Sequence, residues 1–217
     1  MKLIQTLAVI LLASIATLAQ NYPFERQIIF EQKENGVVKE YPSIKIMVGQ
    51  SEAIGARAVL EEDAGAQYFI VDFEKNKYLI LMRQFGQKIA VESEADVSKL
   101  DVLGIDGAKV EEVKKGKKEI LDTKCKIYKG TKDHLEVELY IGAPKFAAKG
   151  LHNLTKVMTD RIGIDLADDE MILGAKIVDK KNNGTLEVEA TKVYEKPYKL
   201  STEGYNTFGT GGMGFGF

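Results

Sequence analysis

Residues 67–91 read QYFIVDFEKNKYLILMRQFGQKIAV, and they decide the fold class. Three short runs rich in Ile, Val, Leu, Tyr and Phe, at Gln67 to Asp72, Lys77 to Met82 and Gln87 to Val91, are separated by polar turns of only a few residues. Runs of that length with such brief connections are antiparallel strands, because a parallel crossover needs a dozen residues or more. The same signature continues outward in both directions. Phe24 to Gln32, Tyr41 to Val48 and Arg57 to Glu61 precede it, and Glu119 to Lys129, Leu135 to Ile141, Ile172 to Asp179 and Thr185 to Tyr194 follow. Lys33 to Gly36, Glu74 to Asn76 and Lys180 to Gly184 are the clearest tight turns, since Asn and Gly accept positive φ.

Two regions interrupt the strand pattern. Between Glu94 and Lys118, Val97, Leu100, Val102, Leu103, Ile105 and Val110 lie scattered among charges, which suggests a partly helical insertion. From Phe146 to Ile162, Leu151, Leu154, Val157, Met158 and Ile162 recur at helical spacing, with Gly163 as the stop. The expected fold is mainly β (α+β): a single curved antiparallel sheet or half-barrel covered by one or two helices. Sheet and helix then enclose an apolar space, and Leu151, Leu154, Val157 and Met158 are the candidate lining residues.

The first nineteen residues have the form of a cleavable export signal. Lys2 supplies the positive start, Leu3 to Ile15 the apolar run, and Ala16-Thr17-Leu18-Ala19 a peptidase site that predicts cleavage between Ala19 and Gln20. The apolar run falls short of the roughly 20 residues of a membrane-spanning helix, and no cysteine stands at the cleavage site to take a lipid. The expectation is a periplasmic or secreted protein that is not integral to a membrane, with one domain over residues 20–203. A glycine-rich tail, residues 204–217, is expected to be flexible.

Composition narrows the function classes. With 30 Lys and Arg against 32 Asp and Glu, the chain has no electrostatic footprint for nucleic acid. The basic group Lys114, Lys115, Lys117 and Lys118 is flanked by Glu111, Glu112 and Glu119 and reads as a solvated loop. Cys125 is the single cysteine and cannot form an internal disulfide; Thr123, Cys125 and Ile127 share one strand face, so a buried thiol is expected. His134 and His152 have no metal-ligand spacing, the acids from Asp160 to Glu170 do not match a calcium loop, and neither a catalytic group nor a cofactor is expected. Gly209-Thr210-Gly211-Gly212-Met213-Gly214 spells a dinucleotide fingerprint but lacks the helix that must follow it.

The run Phe69 to Tyr78, followed by Lys118 to Tyr128 and the late segment Lys192 to Tyr205, resembles a family of exported bacterial proteins known only as the domain of unknown function numbered four thousand four hundred and twelve. Asp122-Thr123 stands where that family's pattern has Gly-Tyr. The family is similar in architecture to periplasmic lipoprotein carriers of the LolA and LppX kind, half-open barrels closed by helices. The resemblance implies a carrier for a lipid or lipoprotein acyl chain. A structural or interaction component of the cell envelope, meeting a protein partner, is the alternative, and an exported hydrolase the third reading.

Overall fold

The computed structural model describes residues 19–59, 66–84, 86–94 and 96–209. The expected export signal up to Leu18, the end of the run Arg57 to Glu61 and the tail from Thr210 lie outside them. The described residues open with β1 (Asn21–Phe24) and continue through six strands in sequence: β2 (Arg26–Glu34), β3 (Val37–Val48), β4 (Ala53–Val59), β5 (Gln67–Asp72), β6 (Lys77–Gln84) and β7 (Gln87–Glu94). After the insertion come β8 (Lys109–Glu112), β9 (Lys118–Ile120), β10 (Thr123–Lys132) and β11 (Leu135–Gly142), then the helix α1 (Lys149–Asp160). β12 (Met171–Asp179), β13 (Gly184–Tyr194), β14 (Tyr198–Ser201) and β15 (Asn206–Gly209) complete it.

Thirteen strands form one sheet in the order β15-β7-β6-β5-β4-β3-β2-β13-β12-β11-β10-β8, with β9 also paired to β10. The pairs are antiparallel except β15 on β7. The fold is therefore mainly β with one α-helix among the described residues, as the alternation and short turns lead one to expect. The turns form where anticipated: Asn35 and Gly36, Asn76, and Asn183 all adopt positive φ.

Several expectations need correction. The segment Glu94 to Lys118 is not helical beyond a single 3-10 turn at Val97–Lys99. Its apolar residues serve a loop instead, in which the Asp101 carboxylate accepts from the backbone N–H groups of Ile105 and Asp106 and drives Ile105 into the core. Glu119 to Lys129 is not one strand, because Leu121 and Asp122 both take positive φ and fold it into the β9–β10 hairpin. His134 sits in a turn, beside Asp179 at 3.6 Å. The chain does not become irregular at Gly204: Asn206–Gly209 pairs in parallel with Ile89 to Glu92, because the edge of β7 offers unpaired backbone groups.

Curvature follows from what α1 touches. The helix packs on β3, β4 and β12, yet β4 and β12 are separated in the sheet by β3, β2 and β13. On a flat sheet that is about 19 Å at roughly 4.8 Å per strand, whereas Gly150, against β4, and Thr155, bonded to β12, are only about 7.5 Å apart along the helix axis. The sheet curls around the helix. Contact is close at Gly150, where a Cβ would lie 2.3 Å from the Ala53 carbonyl oxygen.

The two faces are covered by different elements. On one, Leu151 packs with Ile28, Val48, Ile54, Leu173 and Ala190, while Met158, Ile162 and Ile164 pack with Ile105, Leu139 and Ala175. On the other, β1 and β14 pair as a separate two-stranded ribbon whose Tyr22, Phe24 and Leu200 bury Met47, Ile70, Leu79, Leu81 and Ala90. Gly55 makes room for the ribbon, since a Cβ there would meet the Phe24 ring at 2.9 Å.

Candidate functional site

The helical stripe read from the sequence is displaced from the one that is buried. Gly150, Leu151, Thr155, Met158 and Thr159 are the buried positions of α1. Leu151 and Met158 belong to the two packed clusters and Leu154 bridges them, while Val157 is only half-buried and belongs to neither. Thr155 and Thr159 are fully buried, and polar residue type hid them from a reading based on apolar spacing. The Thr155 hydroxyl accepts from the Ile172 N–H at 3.0 Å and ties the helix to β12. None of the four candidate lining residues borders any of the three pockets described below.

The open apolar surface lies beside the helix. Directly paired residues share a face of a sheet, and the register places Phe208, Val91, Ile80, Phe69, Ala56, Ile46, Ile28 and Val193 in one row across eight strands. Ile89 with Met82, and Ala58 with Ile44 and Phe30, form a second row on the same face. Ile28, near the helix, is fully buried. Moving away from it, Ile46, Phe69, Ile80 and Val91 are partly exposed, and Phe208 at the sheet edge is 57% exposed. The same strands bury Ile70, Leu79 and Leu81 completely on the ribbon side. Among the described residues the helix covers only one end of this apolar surface.

The sequence carried a usable signal for it. Tyr78-Leu79-Ile80-Leu81-Met82 is apolar at every position, so β6 has apolar residues on both faces. A strand buried on one side and exposed to water on the other alternates with polar residues; continuous apolar character means that both faces meet something apolar.

The ribbon-free part of the opposite face is charged and self-paired. Lys33 with Glu31, Lys118 with Glu189, Lys176 with Glu187 and Lys129 with Glu138 form ion pairs on β2, β13, β12, β11, β10 and β9. A cleft of about 180 Å³ there is lined by several of these pairs. Two wider depressions measure about 730 Å³, between β14 and strands β5 to β7, and about 500 Å³, beside Gly130 and Arg161.

The sequence-flagged polar groups are dispersed. Cys125 is buried, and burial pushes its thiol up to about 11. His152 Nδ1 bonds the Glu170 carbonyl oxygen at 2.8 Å, and Glu170 itself pairs with Lys126 at 2.7 Å. Among the described residues no group of three or more His, Cys, Asp or Glu is placed to hold a metal ion, and no helix is long and apolar enough to cross a membrane.

No family model matches the chain, and no curated protein matches its sequence. Among solved structures it is similar to PNGF-II, at 12% identity and a TM-score of 0.49 over 86% of this chain and 31% of that one. The chain thus spans about a third of the length of the PNGF-II chain. It is also similar to the LolA superfamily protein NE2245 from Nitrosomonas europaea, at 9% identity and a TM-score of 0.32 over 79% and 84% of the two chains. A DUF1329 family protein from Desulfovibrio piger matches at 7% identity and a TM-score of 0.22 over 85% and 88%. These scores are too low to carry function from those proteins to this chain.

Proposed function

We propose that this protein is an exported, non-catalytic carrier that holds a lipid or acyl chain against the open apolar face of its sheet. The observation behind the proposal is the row from Ile46 to Val91, in which large aliphatic and aromatic side chains stay partly exposed beside fully buried neighbours. A contiguous exposed apolar surface is costly to maintain in water and marks a binding surface. Each methylene of an acyl chain that it removes from water contributes about 0.8 kcal/mol. Export, with release after Ala19, and membership of the domain-of-unknown-function family named above belong to the same reading and rest on the leader and the quoted motifs.

The test is lipid exchange. Delipidated protein should take up a fluorescent fatty acid and release it to vesicles. Ile80→Asp and Phe69→Asp should abolish uptake while leaving the circular dichroism unchanged, because both side chains are partly exposed. Absence of uptake by the unsubstituted protein, or uptake undisturbed by both variants, would refute the carrier reading.

A further inference from the structure

A second site lies on the other face of β5 to β7, in the cleft of about 730 Å³ under β14. Its volume is within the roughly 300–1,000 Å³ of small-molecule sites. Three tyrosines line it. Tyr68 and Tyr198 stack with ring centroids 6.3 Å apart, and their hydroxyls hydrogen-bond each other at 3.0 Å. Gly204, at φ +74, turns the chain so that Tyr205 meets the Lys88 ammonium 5.4 Å from its ring centre.

The charges of this cleft differ from those of its neighbour. In the smaller cleft Lys33, Lys118 and Lys176 each have a carboxylate partner. Here Arg83, Lys88 and Lys199 form no ion pair among the described residues, and Glu203 is the one carboxylate in the lining. Burial and the hydrogen bond shared with Tyr68 push the Tyr198 hydroxyl up to about 12, so it stays neutral. The site therefore offers flat aromatic faces, which take the apolar faces of rings, beside cations that form no ion pair among the described residues.

We infer that this cleft binds an acidic oligosaccharide, whose ring faces lie on Tyr205 and the Tyr68–Tyr198 pair and whose carboxylates meet Arg83, Lys88 and Lys199. A nucleotide fits less well. The Tyr68 and Tyr198 hydroxyls are bonded to each other, which leaves Ser201, Glu203 and Tyr205 as the other acceptor-bearing side chains of the lining to read the edge of a base. The site opens on the reverse side of the strands that carry the row from Ile46 to Val91, and Met82 of the second row borders it.

The chain has no tryptophan and three of its nine tyrosines line the site, so tyrosine fluorescence responds to binding there. The protein would be titrated with a size-defined oligogalacturonate, a neutral maltooligosaccharide of equal length and AMP, with calorimetry as a second readout. The expected result is binding of the acidic oligosaccharide alone, weakening with added salt and falling by about tenfold or more in Lys88→Glu, as loss of a charge-assisted contact requires. Arg83→Glu, at an exposed position, repeats the test should Lys88→Glu disturb the fold. Equal binding of the neutral sugar, preference for AMP, no binding at all, or full affinity in both variants would each overturn the inference.

Discussion

Replacement of Gly150 by alanine sets two known effects against each other. Gly150 lies in the first turn of α1, and in an ordinary helix Gly→Ala stabilises by roughly 0.5–1 kcal/mol, through lower backbone entropy in the unfolded chain. Here the added methyl would stand 2.3 Å from the Ala53 carbonyl oxygen, 2.5 Å from its carbon and 2.8 Å from the Ile54 nitrogen. These are backbone atoms at the start of β4, hydrogen-bonded into the sheet, and cannot rotate aside as a side chain can, so the helix itself must move. Overpacking of this kind costs about 1–3 kcal/mol, and lifting α1 also loosens Leu151 from Val48 and Ile54. With the propensity gain set against the overpacking and the loosened Leu151, the net expectation is a loss of about 1–2 kcal/mol, opposite in sign to the propensity effect. Urea unfolding followed by circular dichroism measures it, with Gly184→Ala as a control because nothing lies within 4 Å of a Cβ there. A Gly150→Ala protein as stable as the parent, or more so, would refute the close helix–sheet contact and with it the curvature deduced from that contact.

Thr155→Val should cost about 1–3 kcal/mol, because the buried Ile172 N–H loses its acceptor while the volume is unchanged; Thr155→Ser should recover part of the loss in the same urea titration. The Cys125 thiol should react with a maleimide far more slowly at pH 8 than a free thiol does, and at the ordinary rate once the protein is unfolded, since burial both hides it and raises its pKa to about 11. Rapid labelling of the native protein would contradict the burial. Glu187 is held below its ordinary value by the Lys176 ammonium. A lowered folded-state pKa contributes stability that is present above the unfolded value, about 4.5, and is lost as the pH falls through the folded one. Glu187→Gln should accordingly flatten the acid limb of a stability profile below about pH 4.5 while leaving the profile above pH 6 parallel to that of the parent.

The strands, the principal turns and the position of the helix were legible because each rests on local chemistry. Asn35-Gly36 accepts positive φ whatever surrounds it, and Leu151 and Met158 lie on one side of any helix drawn through them. What escaped the sequence depends on partners distant in the chain. β1 and β14 are four residues each and look like loop until they meet, and β15 is a strand only because β7 has a free edge. The open surface was missed for a related reason. Residues at helical spacing mark a buried stripe but cannot tell whether the sheet under it closes tightly, and here Gly150 lets it close. The open surface belongs to strands whose apolar residues face both ways, and only the register shows that Phe69, Ile80 and Val91 form one row.

The ribbon has a bearing on the order in which the molecule assembles. Asn21 pairs with Ser201 and Phe24 with Tyr198, so the first strand of the fold waits for one of the last. Contacts this far apart along the chain form late, because the closure entropy must be met before they stabilise anything. Until residues 198–201 have been synthesised, Ile70, Leu79 and Leu81 have no lid. A growing chain therefore presents a two-sided apolar sheet to whatever meets it first, and it reaches its final shape only when its two ends come together.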